Sequence, residues 1–285
     1  MTLKYSINNN LNPYIPFDAE IIQIENLSID SKRYKLKLSK SDFYYKPGQF
    51  VKLTLYGVGE VAIGITDTIY DEGFEMAVRN TGGLVTSSLH KMKTGDIVGL
   101  RGPFGRPFPL ETFIGKNILF IGAGIGLWPI RSCIKYILEN RHNYGELRVM
   151  VGVREPKLFS FSQDIQYWSD RDDMTVMRTV DGCVEDDHWE DNIGLITTLI
   201  DKFSVDNHND WIILMCGPPF ALKHIGRSLN NNRILDSQIW VSLERRMQCG
   251  IGKCNHCLIG GGIFVCVEGP VFPFSEVKAM SGGLD

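Results

Sequence analysis

Four cysteines near the carboxyl end, Cys249, Cys254, Cys257 and Cys266, stand in a C-x4-C-x2-C-x8-C spacing. Three thiols on one short loop with a fourth close behind can wrap a two-iron rhomb, and this is the plant-type spacing for a [2Fe–2S] cluster. The loop reads Cys249-Gly250-Ile251-Gly252-Lys253-Cys254-Asn255-His256-Cys257. Its glycines lack the Cβ atoms that would keep backbone N–H groups away from sulfur, and Lys253 adds positive charge beside an anionic cluster. Zinc is the competing occupant, but zinc sites usually use two C-x2-4-C pairs set well apart, whereas three of these four ligands crowd nine residues. Plain thiols or a disulfide are the third possibility. His256 reads as a loop residue, because four cysteines already complete a ligand set.

The rest of the chain must position this loop. Its 285 residues suggest two domains with a small appendage. A composition of 44% hydrophobic and 22% charged residues is that of a globular protein, and a net charge of −3 argues against a nucleic-acid partner. The longest apolar stretch, Ile118 to Ile130, is interrupted by Gly122, Gly124, Gly126 and Pro129. It is too short and broken to span a membrane. The stretch Met1-Thr2-Leu3-Lys4-Tyr5-Ser6 lacks the apolar core of a secretory signal. Seven cysteines without such a signal fit a reducing cytoplasm. Cys133, Cys183 and Cys216 are scattered and are expected to be buried thiols.

Residues 18–110 read as β-structure. Apolar alternation runs through Tyr34-Lys35-Leu36-Lys37-Leu38 and Phe50-Val51-Lys52-Leu53-Thr54-Leu55. Turn signals follow at Lys46-Pro47-Gly48, Tyr70-Asp71-Glu72-Gly73, Lys93-Thr94-Gly95-Asp96 and Gly102-Pro103. Short strands at this rhythm predict a small antiparallel barrel. From 115 to 235 the rhythm becomes α/β. Strands are predicted at Asn117–Ile121, Leu147–Val153, Met174–Val180 and Trp211–Met215. Helices are predicted at Pro129–Asn140, Ser160–Trp168, Leu195–Phe203 and Pro219–Leu229. Such alternation implies a parallel sheet. A last strand at Gln238–Val241 leads into the cysteine loop. The expected division is a barrel over 1–112, an α/β domain over 113–236 and a small lobe over 237–285.

Two α/β segments have the composition of a ligand site. Gly122-Ala123-Gly124-Ile125-Gly126-Leu127-Trp128-Pro129 joins a strand to a helix. Bare glycine backbone and a helix N-terminus suit a pyrophosphate, and Pro129 suits a first helical turn. No acidic residue follows at the distance of an ordinary dinucleotide fold. The second segment, Cys216-Gly217-Pro218-Pro219, ends an apolar strand, where ligands of open α/β sheets bind. Read alone, it is equally a buried cysteine at a strand end.

A barrel, an α/β domain with these two turns and a plant-type cysteine loop together resemble the ferredoxin–NADP reductase superfamily. The resemblance is to the branch with a C-terminal [2Fe–2S] lobe. That branch includes the electron-transfer subunit of dihydroorotate dehydrogenase, the gamma subunit of sulfhydrogenases and one of the subunits of anaerobic sulfite reductase. The resemblance runs from Asn12-Pro13-Tyr14 to Glu268-Gly269-Pro270-Val271-Phe272. Its most specific stretch is Leu243-Glu244-Arg245-Arg246-Met247-Gln248-Cys249 through Cys257, which looks most like the sulfhydrogenase and sulfite-reductase members.

The resemblance implies that the barrel binds FAD. The flavin segment would be Ala62, Ile63, Gly64 and Ile65, after Gly59-Glu60; Ala62 and Gly64 stand where the family usually has proline and serine. Val78, Arg79, Asn80, Gly83, Leu84, Val85 and Thr86 would meet the diphosphate, with charge from Arg79 and a hydroxyl from Thr86. NAD(P)H would lie against Gly122, Gly124, Gly126, Pro129, Cys216, Gly217 and Pro218, with Cys216 facing the nicotinamide. Arg154, Asp181 and Thr197 also fall in familiar places. Trp128 and Ile125 depart from the family turn, and Trp128 would either narrow the pocket or turn into the helix packing. The implied function is an electron-transfer flavoprotein subunit linking NAD(P)H, FAD and a [2Fe–2S] cluster to catalytic and iron–sulfur partner subunits. Two alternatives stay open: a flavin and iron–sulfur relay that has lost nicotinamide binding, and a zinc-stapled structural subunit.

Overall fold

The computed structural model describes residues 12–39, 43–69, 73–183, 189–205 and 207–284. The Met1–Ser6 stretch and residues 70–72 of the Tyr70–Gly73 turn lie outside the described residues. Six strands close into a barrel: β1 (Phe17–Asn26), β2 (Ser31–Leu38), β3 (Phe50–Leu55), β4 (Gly59–Ile69), β5 (Gly73–Arg79) and β6 (Ile97–Phe104), in the order β1-β2-β5-β4-β3-β6. Every pairing in it is antiparallel. Phe17, Ala19 and Ile21 of β1 are buried while Asp18 and Glu20 are exposed, so one edge of each pleat fills the barrel. Val51, Leu53, Leu55, Tyr34, Leu36 and Ile65 share that interior. One helix, α1 (Leu84–Leu89), follows β5.

The second half alternates β7 (Asn117–Ala123), α2 (Leu127–Glu139), β8 (Leu147–Val153), α3 (Ser162–Ser169), β9 (Met174–Val180), β10 (Asn192–Ile193), α4 (Thr197–Ile200), β11 (Trp211–Cys216) and α5 (Pro219–Asn231). Two predicted strands have their observed bounds to the residue, but the helix expected over Leu195–Phe203 contracts to the four residues of α4. In β7, Ile118 and Phe120 pack under α2 and α3, whereas Leu119 and Ile121 pack under α4 and α5. Burial on both faces is what a parallel sheet covered by helices requires.

The sheet does not stop at the boundary expected at 236/237. Among the described residues its order is β10-β9-β8-β7-β11-β12-β15, where β12 is Ile239–Ser242 and β15 is Val271–Pro273. β12 pairs in parallel with β11, and β15 pairs antiparallel with β12. The cysteine segment is therefore a long excursion between the last two strands of the sheet. It contains the β13 (Leu258–Ile259) and β14 (Ile263–Phe264) ribbon and the short α6 (Val265–Glu268). A final turn, α7 (Phe274–Val277), sets the Phe274 ring against Gly226 of α5, where a Cβ would collide with it. This anchors the segment to the α/β half, because apolar strand residues such as Val241 and Phe272 are buried only within that core.

A buried arginine joins the halves. Arg131 of α2 is 1% exposed. It donates to the Thr66 carbonyl and the Glu75 carboxylate at 3.1 Å each and to Asp164 at 3.0 Å. Its guanidinium lies 4.4 Å from the centre of the Phe161 ring. Phe161 takes a left-handed backbone (φ 58°) immediately before α3.

Candidate functional site

The cysteine loop is built by three left-handed residues. Gly250 (φ 78°), Gly252 (φ 71°) and Asn255 (φ 63°) turn the backbone so that successive N–H groups face inward. The Ile251 and Lys253 N–H groups lie 3.5 and 3.3 Å from Cys249 Sγ, and the Gly252 N–H lies 3.3 Å from Cys266 Sγ. A Cβ at Gly250 would press on the Phe104 ring at 3.0 Å, so glycine also lets the loop sit flat on the barrel. The four thiols associate two by two, Cys249 with Cys254 and Cys257 with Cys266. Cys257 and Cys266 are buried; Cys249 and Cys254 are half-exposed. Among the described residues, no group of three or more His, Cys, Asp or Glu side chains is arranged to hold a single metal ion.

The thiols differ electrostatically. Burial works against ionisation of Cys249, but N–H groups of Ile251, Lys253 and Cys254 hold it below its usual value. The His256 backbone does the same for Cys254, while burial pushes Cys266 up to about 12. His256 is exposed and its Nδ1 meets the Cys254 carbonyl at 3.0 Å, consistent with a loop role. A donor set of four sulfurs in two pairs, ringed by inward N–H groups, fits a two-iron cluster and its sulfides.

The loop rests on a charged barrel face. Lys52, 2% exposed, donates from Nζ to the Met247 carbonyl at 3.0 Å. Arg101 forks onto Glu60 at 2.8 and 2.5 Å and reaches the Cys249 carbonyl at 3.3 Å. Burial lowers the Lys52 ammonium from its usual value, with Glu60 pulling the other way. In register, Lys52 stands between Ala62 of β4 and Arg101 of β6. Sequence alternation marks Lys52 only as an outward polar residue; nothing in it shows that the outward face of β3 is covered.

The expected flavin segment splits by strand alternation. Ile63 and Ile65 face the barrel interior, whereas Ala62 packs against the cluster that holds Phe50, Phe104, Cys249 and Cys257. Gly64 has open space where a Cβ would stand, room that a flat ring can use. Val78 is buried in the barrel, and Arg79, Asn80, Gly83 and Leu84 form an exposed turn. Two side chains expected at phosphate brace this turn instead. Asn80 Oδ1 accepts from Gly82 N–H at 3.1 Å and from Ser87 Oγ at 3.0 Å. Thr86 Oγ1 donates to the Gly83 carbonyl at 3.2 Å and meets Thr81 Oγ1 at 3.2 Å. Arg79, the Asn80 amide nitrogen and the turn's backbone N–H groups are what remain for an anion; no side chain caps α1, and half-buried Val85 packs on the barrel core.

The two α/β turns meet backbone to backbone. A Cβ on Gly126 would overlap the Cys216 carbonyl, and one on Gly217 would lie 2.7 Å from Ala123 Cβ. Gly122 is pressed by Leu127 in the same way, so three of these glycines serve packing, and Gly124 (φ 60°) alone borders open space. Trp128 resolves into helix packing: it is 7% exposed within the core that also holds Ala77, Phe161 and Cys216. Its Nε1–H is buried and has no hydrogen-bond partner among the described residues. Ile125 packs against the same core. Pro129 lies in the first turn of α2, its carbonyl accepting from Ser132 Oγ at 2.7 Å, and Pro218 precedes α5.

Cys216 ends β11, and burial raises its thiol well above the usual value, with Glu244 adding to the effect. Glu244 is open to solvent yet hemmed in by protein, which raises its carboxyl, while Arg79 pulls it down. Glu244 of the cysteine segment thus acts electrostatically on Cys216 of the α/β domain and is itself acted on by Arg79 of the barrel. In the sequence Glu244 stands out only as part of a motif. Among the other thiols, Cys133 is buried and Cys183 half-exposed.

Comparison with known proteins follows the same three parts. Residues 18–108 match the oxidoreductase FAD-binding domain, 120–225 the oxidoreductase NAD-binding domain, and 244–278 the iron–sulfur cluster binding domain of dihydroorotate dehydrogenase B. The chain is 33% identical over 284 residues to sulfhydrogenase 1 subunit gamma of Pyrococcus furiosus, covering 97% of each protein. It belongs to the family of sulfhydrogenase gamma and dihydroorotate dehydrogenase B electron-transfer subunits. The dihydroorotate dehydrogenase B electron transfer subunit of Bacillus mycoides is 30% identical, across 81% of this chain and 86% of that protein. Among solved structures, an NADH-dependent reduced ferredoxin–NADP oxidoreductase, studied for flavin-based electron bifurcation, superposes with a TM-score of 0.74 at 25% identity. The match covers 90% of this chain and 88% of that one. Members of this family are flavin and iron–sulfur oxidoreductase subunits, and the chain carries the domains for FAD, a nicotinamide coenzyme and an iron–sulfur cluster.

Proposed function

We propose that the chain passes electrons between NAD(P)H and a partner catalytic subunit of the sulfhydrogenase or anaerobic sulfite reductase type. When bound, FAD exchanges a hydride's two electrons with the nicotinamide and single electrons with the [2Fe–2S] cluster. The observation that carries this reading is the seating of the cysteine loop on the barrel. Lys52, the register partner of Ala62 in the expected flavin strand, holds the Met247 carbonyl two residues before Cys249.

The protein's own residues bind and orient. Ala62 and the bare backbone at Gly64 would receive the flavin ring, and Arg79 with the Gly83–Val85 backbone would receive its diphosphate. Gly124 opens the nucleotide cleft, while Gly126 and Gly217 let its two turns touch. Cys216 would present its buried, neutral thiol to the nicotinamide. The burial of Trp128 in the core supports an open nicotinamide cleft over a relay without one. The cysteine spacing and the backbone N–H groups aimed at Cys249 and Cys266 support a two-iron cluster over zinc. Cys249, Cys254, Cys257 and Cys266 are its ligands in this reading. Segments 1–112, 113–236 and 237–285 take FAD, nicotinamide and cluster in turn, the last hung on strands of the α/β sheet. No helix among the described residues is long and apolar enough to cross a membrane, and the free cysteines support a reducing cytoplasm.

The test is an anaerobic visible spectrum of the purified chain with metal and flavin analysis, before and after NADH and then NADPH. The reading expects FAD, iron and bands that bleach with a nicotinamide coenzyme. Zinc without iron and no flavin would overturn it.

A further inference from the structure

The barrel face beneath the cysteine loop holds three charged side chains that binding the cofactors does not by itself require. Lys52 is buried and bonded to the Met247 carbonyl. Arg101 is bonded to the Cys249 carbonyl and also to the Pro13 carbonyl at 2.5 Å. Glu60 accepts both Arg101 bonds and lies 3.8 Å from Lys52, with a further bond from Thr54 Oγ1 at 2.8 Å. Two cations and one anion leave this group with a net positive charge. Lys52 lies close enough to feel both Cys249 and Cys254 electrostatically. Glu60 and Arg101 also line an open groove of about 320 Å³ beside Cys249, whereas Lys52 does not border it. Water therefore screens Lys52 least, because buried charges escape solvent screening.

We infer that Lys52, with the Arg101–Glu60 pair, is a positioning and potential-setting group for the cluster: it pins the Met247–Cys249 backbone to the barrel and raises the reduction potential. This rests on the reading that the four cysteines hold a [2Fe–2S] cluster. Adding an electron makes an anionic cluster more negative. A fixed positive charge nearby favours the reduced form, and a negative one opposes it. The carbonyl bonds fix where that charge stands, so the effect is built in rather than left to the exposed Lys253, which lies over the Tyr14 ring at 5.1 Å.

The test is a redox titration of the cofactor-loaded chain followed by electron paramagnetic resonance of the reduced cluster, in wild type, Lys52→Met, Lys52→Arg and Glu60→Gln. Lys52→Met is expected to lower the potential, the ratio of reduced to oxidised cluster at the wild-type midpoint falling about tenfold, which is about 59 mV for one electron. Glu60→Gln is expected to move it upward, and Lys52→Arg to stay near wild type. General loosening of the loop would not give shifts of opposite sign. If Lys52→Met fails to take up the cluster, the sign of the Glu60→Gln shift decides. Potentials that do not move, or that move in the same direction in both variants, would overturn the inference. Absence of any [2Fe–2S] signal in wild type would instead overturn the cluster reading beneath it.

Discussion

Arg131 and Glu75, both nearly excluded from solvent, meet at 3.1 Å across the junction of barrel and α/β domain. Arg131 reaches Asp164 as well, and Asp67 at 3.5 Å, so one guanidinium ties β4, β5 and α3 to α2. Removing one partner of a buried ion pair strands the others, at a cost of about 3–5 kcal/mol. Arg131→Met should therefore lower unfolding stability by roughly that amount in denaturant titrations. A Glu75→Gln variant keeps the packing and should cost less. If Arg131→Met unfolds like wild type, the junction is not held as described.

The two α/β turns make a second prediction. Gly126→Ala places a methyl on the Cys216 carbonyl, and a rigid backbone cannot yield as a side chain does. The cost should reach or exceed the about 1–3 kcal/mol of ordinary overpacking and should weaken nicotinamide binding with it. Gly124→Ala meets open space and bears mainly its left-handed backbone, about 1–2 kcal/mol. Equilibrium unfolding of the two variants should rank them in that order; the reverse ranking would show that Gly126 is not a packing contact.

These two contacts show what sequence reading reaches and where it stops. The strands Leu147–Val153 and Met174–Val180 were legible because short runs rich in β-branched residues, bounded by Gly145, Pro156, Asp173 and Gly182, read as strands. The cysteine spacing and the glycine turn were legible as chemistry. The pairing of Gly126 with Cys216 was not, since it joins segments 90 positions apart. Lys52 reads as a solvent-facing residue of an alternating strand, and only the fold shows a loop nearly 200 positions later covering it. Strands β12 and β15 read as parts of a separate lobe because the cysteine motif between them dominates the segment, yet both pair into the α/β sheet. Thr86 and Asn80 fit a phosphate motif by type, and only the fold shows that the Thr86 hydroxyl and the Asn80 oxygen also brace their own turn.

A surface pair sets an acid limb of stability. Hydrogen bonds from Arg171 and Arg141 hold the Asp173 carboxyl at about 2, against a usual 3.8. A carboxyl lower in the folded state stabilises above its unfolded value and loses that contribution as pH falls through the folded one. Stability should thus decline between about pH 3.8 and 2 from this source. Asp173→Asn should flatten that segment of a melting-temperature profile, modestly because the site is exposed. An unchanged profile would show that Asp173 sets no acid limb.

The thiol pairs predict unequal consequences of substitution. Cys257 is 1% exposed and its pairing with Cys266 lies inside the core. Cys257→Ser should abolish the cluster's visible and magnetic signals while leaving bound FAD, because the barrel does not depend on this thiol. Loss of flavin together with iron would contradict the separation of the two sites.

Electrons entering from a nicotinamide coenzyme are proposed to reach the cluster through the flavin within this one chain. The direct measurement is anaerobic rapid mixing of the loaded chain with NADH or NADPH, followed by freeze-quench electron paramagnetic resonance, in wild type and Cys257→Ser. The expected result is flavin bleaching in both proteins and a reduced [2Fe–2S] signal that follows it in wild type alone. A wild-type cluster that stays oxidised with both nucleotides and is reduced only by dithionite would contradict it.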